Sequence, residues 1–158
     1  MTENNHDGIK VVIQTFDELT THDLYEILKV RSAVFVVEQN CPYQDLDGID
    51  HYASHITLWR EGAIVAYARV FKDPDTDLWH IGRVLSTQRN KNYGLQVMKE
   101  SIKWAETLGA HCIEIEAQSY AIGFYEKVGF QVCSDPFMLD GIPHQQMRLQ
   151  LIANIDYQ

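Results

Sequence analysis

The feature that most limits what this chain can fold into is the stretch Ile81–Met98, IGRVLSTQRNKNYGLQVM. A strand-like segment ends near Leu85, and a short polar loop follows with Arg89, Asn90, Lys91, Asn92 and Gly94. An amphipathic helix then begins. Strand, tight loop and helix in this order point to a layered α/β arrangement, and they also make an anion site. The first N–H groups of a helix have no internal acceptor. The helix dipole adds partial positive charge there, worth about 0.3–1 kcal/mol per exposed interaction. Glycine allows close backbone approach, asparagine tolerates positive φ, and Arg89 and Lys91 add formal charge. A pyrophosphate suits such a loop, although a turn that merely caps a helix has the same outline. A P-loop needs GxxxxGK[ST] and a dinucleotide fingerprint needs GxGxxG after the first strand; the chain has neither.

Strand-like and helix-like stretches alternate around this segment. Ile9–Phe16 is β-rich, and Thr20 and Thr21 offer N-caps for a helix over Asp23–Phe35. Residues 39–50 read as a loop with Pro42 and Asp47-Gly48. Tyr52–Trp59 and Ala63–Phe71 make a hairpin around Glu61-Gly62, and Trp79–Leu85 is a further strand. Gly94–Leu108 is the clearest helix, with Leu95, Met98, Ile102 and Ala105 on one face and Gly109 as its cap. A strand over Cys112–Ala117, a short helix over Ala121–Lys127 ended by Gly129, and strands over Phe130–Cys133 and His144–Leu151 complete the chain. This predicts one domain over residues 1–158, an α/β (mixed α+β) sheet of about seven strands with helices on both faces. The hairpins predict antiparallel pairing, and each helix between consecutive strands predicts a parallel crossover.

Composition narrows the function. The formal net charge is −9, with 13 Lys and Arg against 22 Asp and Glu, and no basic run forms a face for nucleic acid. A cationic or amine substrate suits that charge better. The polar start Met1–Gly8 does not read as a signal peptide, and the longest apolar run, Ala33–Val37, is far short of the ~20 residues that cross a bilayer. No membrane association and a cytoplasmic location are expected. Cys41, Cys112 and Cys133 contain no CxxC pair and are expected as reduced thiols. No metal is expected. Asp45, Asp47 and Asp50 fail the EF-hand pattern, whose bidentate Glu would fall at Ile56, and His51 and His55 lack the HExxH form.

The second informative stretch is Ala117–Phe130, AQSYAIGFYEKVGF. It puts Tyr125 at the end of a short helix beside a strand. Such a ring is either core or a source of a hydroxyl proton, with an unperturbed pKa near ~10, for a thiolate leaving group.

Arg89-x-x-Asn92-x-Gly94 resembles the pyrophosphate loop R/Q-x-x-G-x-G/A of GNAT acetyltransferases, and Phe124–Phe130 resembles their FYEKxGF signature, in the same order. The stretches Val34–Gly48, Asp140–Met147, Ala117-Gln118 and the turns at Arg69 and Arg83 resemble the ElaA-like branch of that superfamily. Asn92 stands where the superfamily has its middle glycine, and the loop between Ser86 and Arg89 is shorter than usual. The resemblance implies a GNAT sheet whose strands splay at the cofactor site, and acetyl-CoA as acyl donor. The backbone of Val84, Leu85 and Ser86 would pair with the pantetheine arm, Arg89, Asn90, Lys91, Asn92, Tyr93 and Gly94 would hold the pyrophosphate, and Gln118 would reach toward pantetheine. It also implies direct attack by an amine, small molecule or peptide, and folds of this kind often form homodimers.

In that frame Tyr125 protonates the departing thiolate. A base must neutralise the amine, and the candidates are Glu38, His80, Glu116 and His144. Arg31, Arg69 and Arg83 either orient a substrate carboxylate or pair with buried acids, the latter being favoured. Cys41 is expected as an ordinary thiol, since direct transfer needs no acyl-enzyme. Two other readings fit the residues. One is a non-catalytic acyl-CoA binder or sensor of the same fold; the other is a different nucleotide-binding domain, against which the missing P-loop weighs.

Overall fold

A computed structural model describes residues 2–4 and 8–151. Its strands are β1 (Thr2–Asn4), β2 (Lys10–Thr15), β3 (Ser54–Arg60), β4 (Ala63–Lys72), β5 (Trp79–Ser86), β6 (Cys112–Gln118), β7 (Gln131–Val132), β8 (Phe137–Leu139) and β9 (Ile142–Gln150). They form one sheet in the order β1-β2-β3-β4-β5-β6-β9-β7, with β8 paired to β9. The seven expected strands are present with ends shifted by at most two residues. The short β1 and β8 are additions; the second lies inside what reads as a long loop before β9.

Among the described strands, only β5 and β6 pair in parallel. The expected parallel crossover through the first helix does not occur, because β2 and β3 are antiparallel. The helix there is followed by the irregular segment 39–53, long enough to bring the chain back to the far end of the sheet before β3 starts. The crossover expected after β6 also fails to make neighbours: β9 lies between β6 and β7 and pairs antiparallel with both.

Helix α1 (Thr21–Arg31) is capped by the Thr20 hydroxyl, which accepts from the Asp23 N–H at 3.0 Å. The helix was expected to run to Phe35. Instead it widens into a π-helix over Ser32–Glu38. Val34, Val36 and Val37 are stiff at χ1 and poor α-formers. The wider turn changes which residues face the sheet, a geometry found often at functional sites. Helix α2 (Tyr93–Thr107) buries Val97, Met98, Ser101 and Ala105. The Ser101 hydroxyl donates to the Val97 carbonyl at 2.7 Å, so the polar atom is satisfied inside an apolar stripe. Leu95, expected on the core face, instead lines the cleft described below. Helix α3 (Ile122–Glu126) follows a 3₁₀ turn over Ser119–Ala121.

β4 is buried from Ile64 to Val70 because helices cover both of its faces. Ala66, Ala68 and Val70 join Val97, Met98 and Ala105 of α2 in one apolar cluster. Ile64 and Tyr67 join Ile27 and Leu85 in a second, on the α1 side. The larger aliphatic side chains contribute roughly 1.5–3 kcal/mol each on full burial.

Gly129, the glycine of the Phe124–Phe130 run, has φ +104°, and a Cβ there would lie 3.0 Å from Leu149 Cδ1. The positive φ strains any side chain there, and the Leu149 methyl would have to give way by a few tenths of an ångström. Gly129→Ala is therefore expected to destabilise the fold by about 1–2 kcal/mol, read from the midpoint of urea unfolding.

Candidate active site

The parallel ladder between β5 and β6 has two rungs, Trp79↔Ile113 and His80↔Glu114, and then stops. A β-bulge marks the same region. Arg69 pairs with Gly82 but Tyr67 pairs with Leu85, so β5 carries an extra residue, and Arg83 sits at φ +53°. Bulges bend the strand that holds them. Past His80 the β6-facing edge of β5 has no strand partner, and a cleft of about 1030 Å³ opens there. Val84, Leu85 and Ser86 line it from β5, and Gln118 lines it from β6.

The start of α2 closes one end. Asn92 is the N-cap residue at φ 61°, ψ 20°, and its side chain caps nothing. Asn90 is also left-handed, at φ 62°. Both positions ask for a residue that tolerates αL, which explains how Asn92 can stand where a glycine is usual. The loop is held by Ser86 Oγ donating to the Gln88 carbonyl at 2.9 Å and by Thr87 N–H donating to Val65 at 3.0 Å. Gly94 points into the cleft: a Cβ there would meet the Phe124 ring at 3.6 Å and Ser86 Cβ at 3.9 Å. Arg89, Asn90, Asn92, Tyr93 and Gly94 line the cleft, whereas Lys91 is exposed and does not. The Tyr93 hydroxyl accepts from Arg60 at 2.8 Å, so its side chain belongs to the fold.

Tyr125 lines the cleft from α3, its ring edge-on to Phe124 and Phe130 at 5.1 and 6.1 Å. No described protein group hydrogen-bonds its hydroxyl. Burial, with a smaller contribution from Tyr120, pushes that hydroxyl up to about 12, so it stays protonated at physiological pH.

Successive strand residues alternate between faces. Ile113, Ile115 and Ala117 of β6 join the α2 cluster, so Glu114, Glu116 and Gln118 face the other way. The paired residues His80 on β5 and Gln146 and His144 on β9 share that second face. Glu38, at the end of the π-helix, lines the same cleft, and its neighbour Gln39 accepts from Gln118 Nε2 at 3.3 Å. The four base candidates Glu38, His80, Glu116 and His144 therefore all reach one cleft.

Arg31, Arg69 and Arg83 pair with Asp45, Asp47 and Asp50. Buried Arg31 donates to Asp45 at 2.9 Å and Asp50 at 2.7 Å. Arg69 grips both oxygens of Asp47, at 2.6 and 2.9 Å, and reaches Asp50 at 3.0 Å. Arg83 donates to Asp45 at 2.7 Å. The arginines come from α1, β4 and β5, and the aspartates from the loop after the π-helix. The network pins that loop across the sheet as the cleft wall. His55 is part of the scaffold: its Nε2 is 2.9 Å from the Asp50 carbonyl and its Nδ1 is 2.7 Å from the Tyr67 hydroxyl. Burial would raise Asp47, but Arg69 and Arg83 outweigh it and hold the carboxyl down at about 2. Asp50 is likewise lowered, with Arg31 and Arg69 overcoming its burial.

Sequence reasoning missed several lining residues: Gln39, Tyr43, Phe71, Gly82, Tyr120 and Asp140. Gly82 carried a readable signal, since a glycine inside a strand marks a bulge or a close approach. A Cβ at Gly82 would point at Arg69 Nε, 3.9 Å away, the buried side-chain nitrogen that has no partner among the described residues. Gln39 and Tyr43 are placed by the π-helix and Asp140 by the β8–β9 hairpin, which no local pattern announces, while Phe71 lies near the end of β4 and Tyr120 in the 3₁₀ turn before α3. Cys41 is buried against the Asp140 carbonyl, Sγ to O 3.6 Å, and joins loop to hairpin.

Residues 18–151 match the acetyltransferase (GNAT) domain family. The chain is 40% identical to protein ElaA of Escherichia coli over 144 residues, covering 85% of this chain and 92% of that one. It is 36% identical to a UPF0039 protein of Schizosaccharomyces pombe over 149 residues, covering 91% and 99%. The crystal structure of E. coli ElaA superposes with a TM-score of 0.85 at 35% identity, over 90% of this chain and 99% of that one. An acyl-CoA N-acyltransferase from Pseudomonas aeruginosa superposes with a TM-score of 0.82 at 35% identity, over 88% and 98%.

Two outcomes follow from the geometry of this region. Asn92→Gly should keep stability, whereas Asn92→Val should cost about 1–2 kcal/mol, because only the second forces a β-branched residue into αL; thermal melting reads the difference. Asp47 and Asp50 have folded pKa values below those of the unfolded chain, near ~3.9. Their contribution is complete above that value and is lost as pH falls from about 4 toward 2. Asp50→Asn should therefore cost about 3 kcal/mol at pH 7, and urea unfolding repeated down to pH 3 should show the penalty shrinking.

Proposed function

The chain belongs to the acetyltransferase (GNAT) domain family, and from that premise we propose that it is an N-acetyltransferase. It moves the acetyl group of acetyl-CoA to a primary amine, of a small molecule or a peptide, by direct attack in the cytoplasm. The single observation that carries this reading is the continuous path along one strand. The unpartnered edge of β5 leads from the turn before α2 into the cleft that Tyr125 lines.

The residues present fit such a donor. The N-terminus of α2 offers free N–H groups and partial positive charge to a pyrophosphate, Gly94 keeps its mouth open, and Arg89 lies beside it. The bare edge of β5 offers backbone donors and acceptors to an extended amide chain, as in strand addition. Bound there, acyl-CoA supplies an activated acyl carbon and a thiolate leaving group.

Tyr125 donates its hydroxyl hydrogen toward the sulfur as negative charge develops. A hydroxyl near 12 is a weak acid beside a thiol of about 8.5, so full transfer runs uphill by roughly 5 kcal/mol. Its main contribution is a hydrogen bond that strengthens with the charge on sulfur, the proton following as the product leaves. On the other face, an amine of pKa near ~10.4 costs roughly 4–5 kcal/mol to neutralise at pH 7, and the base candidates stand there. Glu38 and Glu116 have no ion-pair partner among the described residues, while Arg31, Arg69 and Arg83 are all held by aspartates. That balance favours a cationic acceptor over one that presents a carboxylate.

Release of free thiol from acetyl-CoA against a panel of primary amines tests the reading. Tyr125→Phe keeps the ring packing and should lower kcat by about 10²–10⁴, with coenzyme A binding by calorimetry unchanged. A heat of binding with no thiol release for any amine would mean a binder without catalysis.

A further inference from the structure

Among the four base candidates His144 alone is almost fully enclosed, at 7% exposure, while still lining the cleft. Its Nδ1 lies 2.7 Å from the Ile142 carbonyl oxygen. A carbonyl only accepts, so Nδ1 carries the hydrogen, and in the neutral ring the lone pair is on Nε2. The ring is stacked on Phe137 of β8, with centroids 6.0 Å apart and planes at 23°. No described protein group hydrogen-bonds Nε2. The β8–β9 hairpin thus fixes the ring orientation and the tautomer, and leaves one basic nitrogen without a protein partner.

Resting on the acyltransfer reading above, we propose that His144 is the general base that deprotonates the acceptor amine, directly or through one water. The ammonium proton passes to Nε2 and on to solvent, which frees the nitrogen lone pair; the C–N bond then forms, the C–S bond breaks with its electron pair going to sulfur, and the second nitrogen proton leaves to solvent while the sulfur takes one by way of Tyr125.

The sheet register favours His144 over its rivals. His80 donates from Nδ1 to the Glu114 carbonyl at 3.1 Å and stacks on Phe71 in the same manner. It sits, however, on the last closed rung of the β5–β6 ladder, where neighbouring strands are only about 4.8 Å apart. Counting up from that rung, and allowing for the extra residue in β5, Gln118 comes level with Val84 and Leu85, and Gln118 pairs with His144. His144 therefore stands level with the open part of the strand edge. Glu38 and Glu116 are exposed, so water competes for them and nothing fixes their lone pairs. The titratable and charged groups sharing the cleft with His144 are Glu114 and Glu116 of β6, Asp140 of the β8–β9 turn, Glu38, Cys41, Tyr43 and Asp47 after α1, Arg69 of β4, His80 and Arg83 of β5, Arg89 and Tyr93 around the start of α2, and Tyr120 and Tyr125 around α3.

The test compares the wild type with His144→Asn, whose amide nitrogen can keep the bond to Ile142, and with His144→Gln and His80→Gln. Thiol release from saturating acetyl-CoA is followed with n-butylamine between pH 6 and 10, beside thermal melting and calorimetric coenzyme A binding. Both His144 variants are expected to fold, bind coenzyme A normally and lose about 10²–10³ in kcat at pH 7. That deficit should shrink by about tenfold per pH unit as the free amine fraction rises toward its own pKa near ~10.4. Parallel pH profiles for the wild type and both variants, or a pH-rescued deficit in His80→Gln instead, would overturn the assignment while leaving the acyltransfer reading standing. A wild type inert toward every amine would sink that reading and this one with it.

Discussion

Everything that makes this sheet more than a scaffold depends on one ladder stopping early. Two parallel strands that stayed paired would bury their backbone groups against each other and leave no place for a ligand. Here β5 and β6 separate after two rungs, and the extra residue at Arg83 bends β5 away. The price is a row of unpaired backbone groups, tolerable only where water or a ligand can satisfy them. The helix that crosses between the two strands starts at the open end, so the anion site of its N-terminus and the bare strand edge are continuous.

A second constraint fixes the opposite wall. The segment after α1 has little regular structure of its own, yet three of its aspartates meet three arginines from three different elements. Removing one partner from a buried pair is costly, because the remaining charge is left desolvated. The network therefore holds the loop in one register over β4 and β5. With those three arginines occupied, Arg89 beside the start of α2 lines the cleft together with Glu38 and Glu116, which have no ion-pair partner among the described residues.

Much of this was legible in the sequence where chemistry is local. The turn before α2 is written in consecutive residues: two asparagines sit in αL and a glycine faces the cleft. Thr20 caps α1 as its residue type predicts. The Phe124–Phe130 run reads correctly because its glycine answers a backbone demand that no other residue meets. Less legible were the π-helix, where stiff valines widen a helix expected to end sooner, and the antiparallel β2–β3 pairing, which depends on how far an irregular segment travels. Leu95 was misassigned to the core because periodicity alone cannot tell a buried stripe from one edge of it that faces a cleft.

The sequence by itself therefore determined most element types, the tight turn before α2 and the family to which the chain belongs, since each rests on residues close together in the chain. Only the tertiary structure decided that β5 and β6 part after His80, that Arg31, Arg69 and Arg83 are occupied by aspartates, and that His144 lies level with the open strand edge. These are matters of strand register and of contacts between residues distant in sequence. A shift of one residue in register turns every side chain to the other face, and no local pattern carries that information.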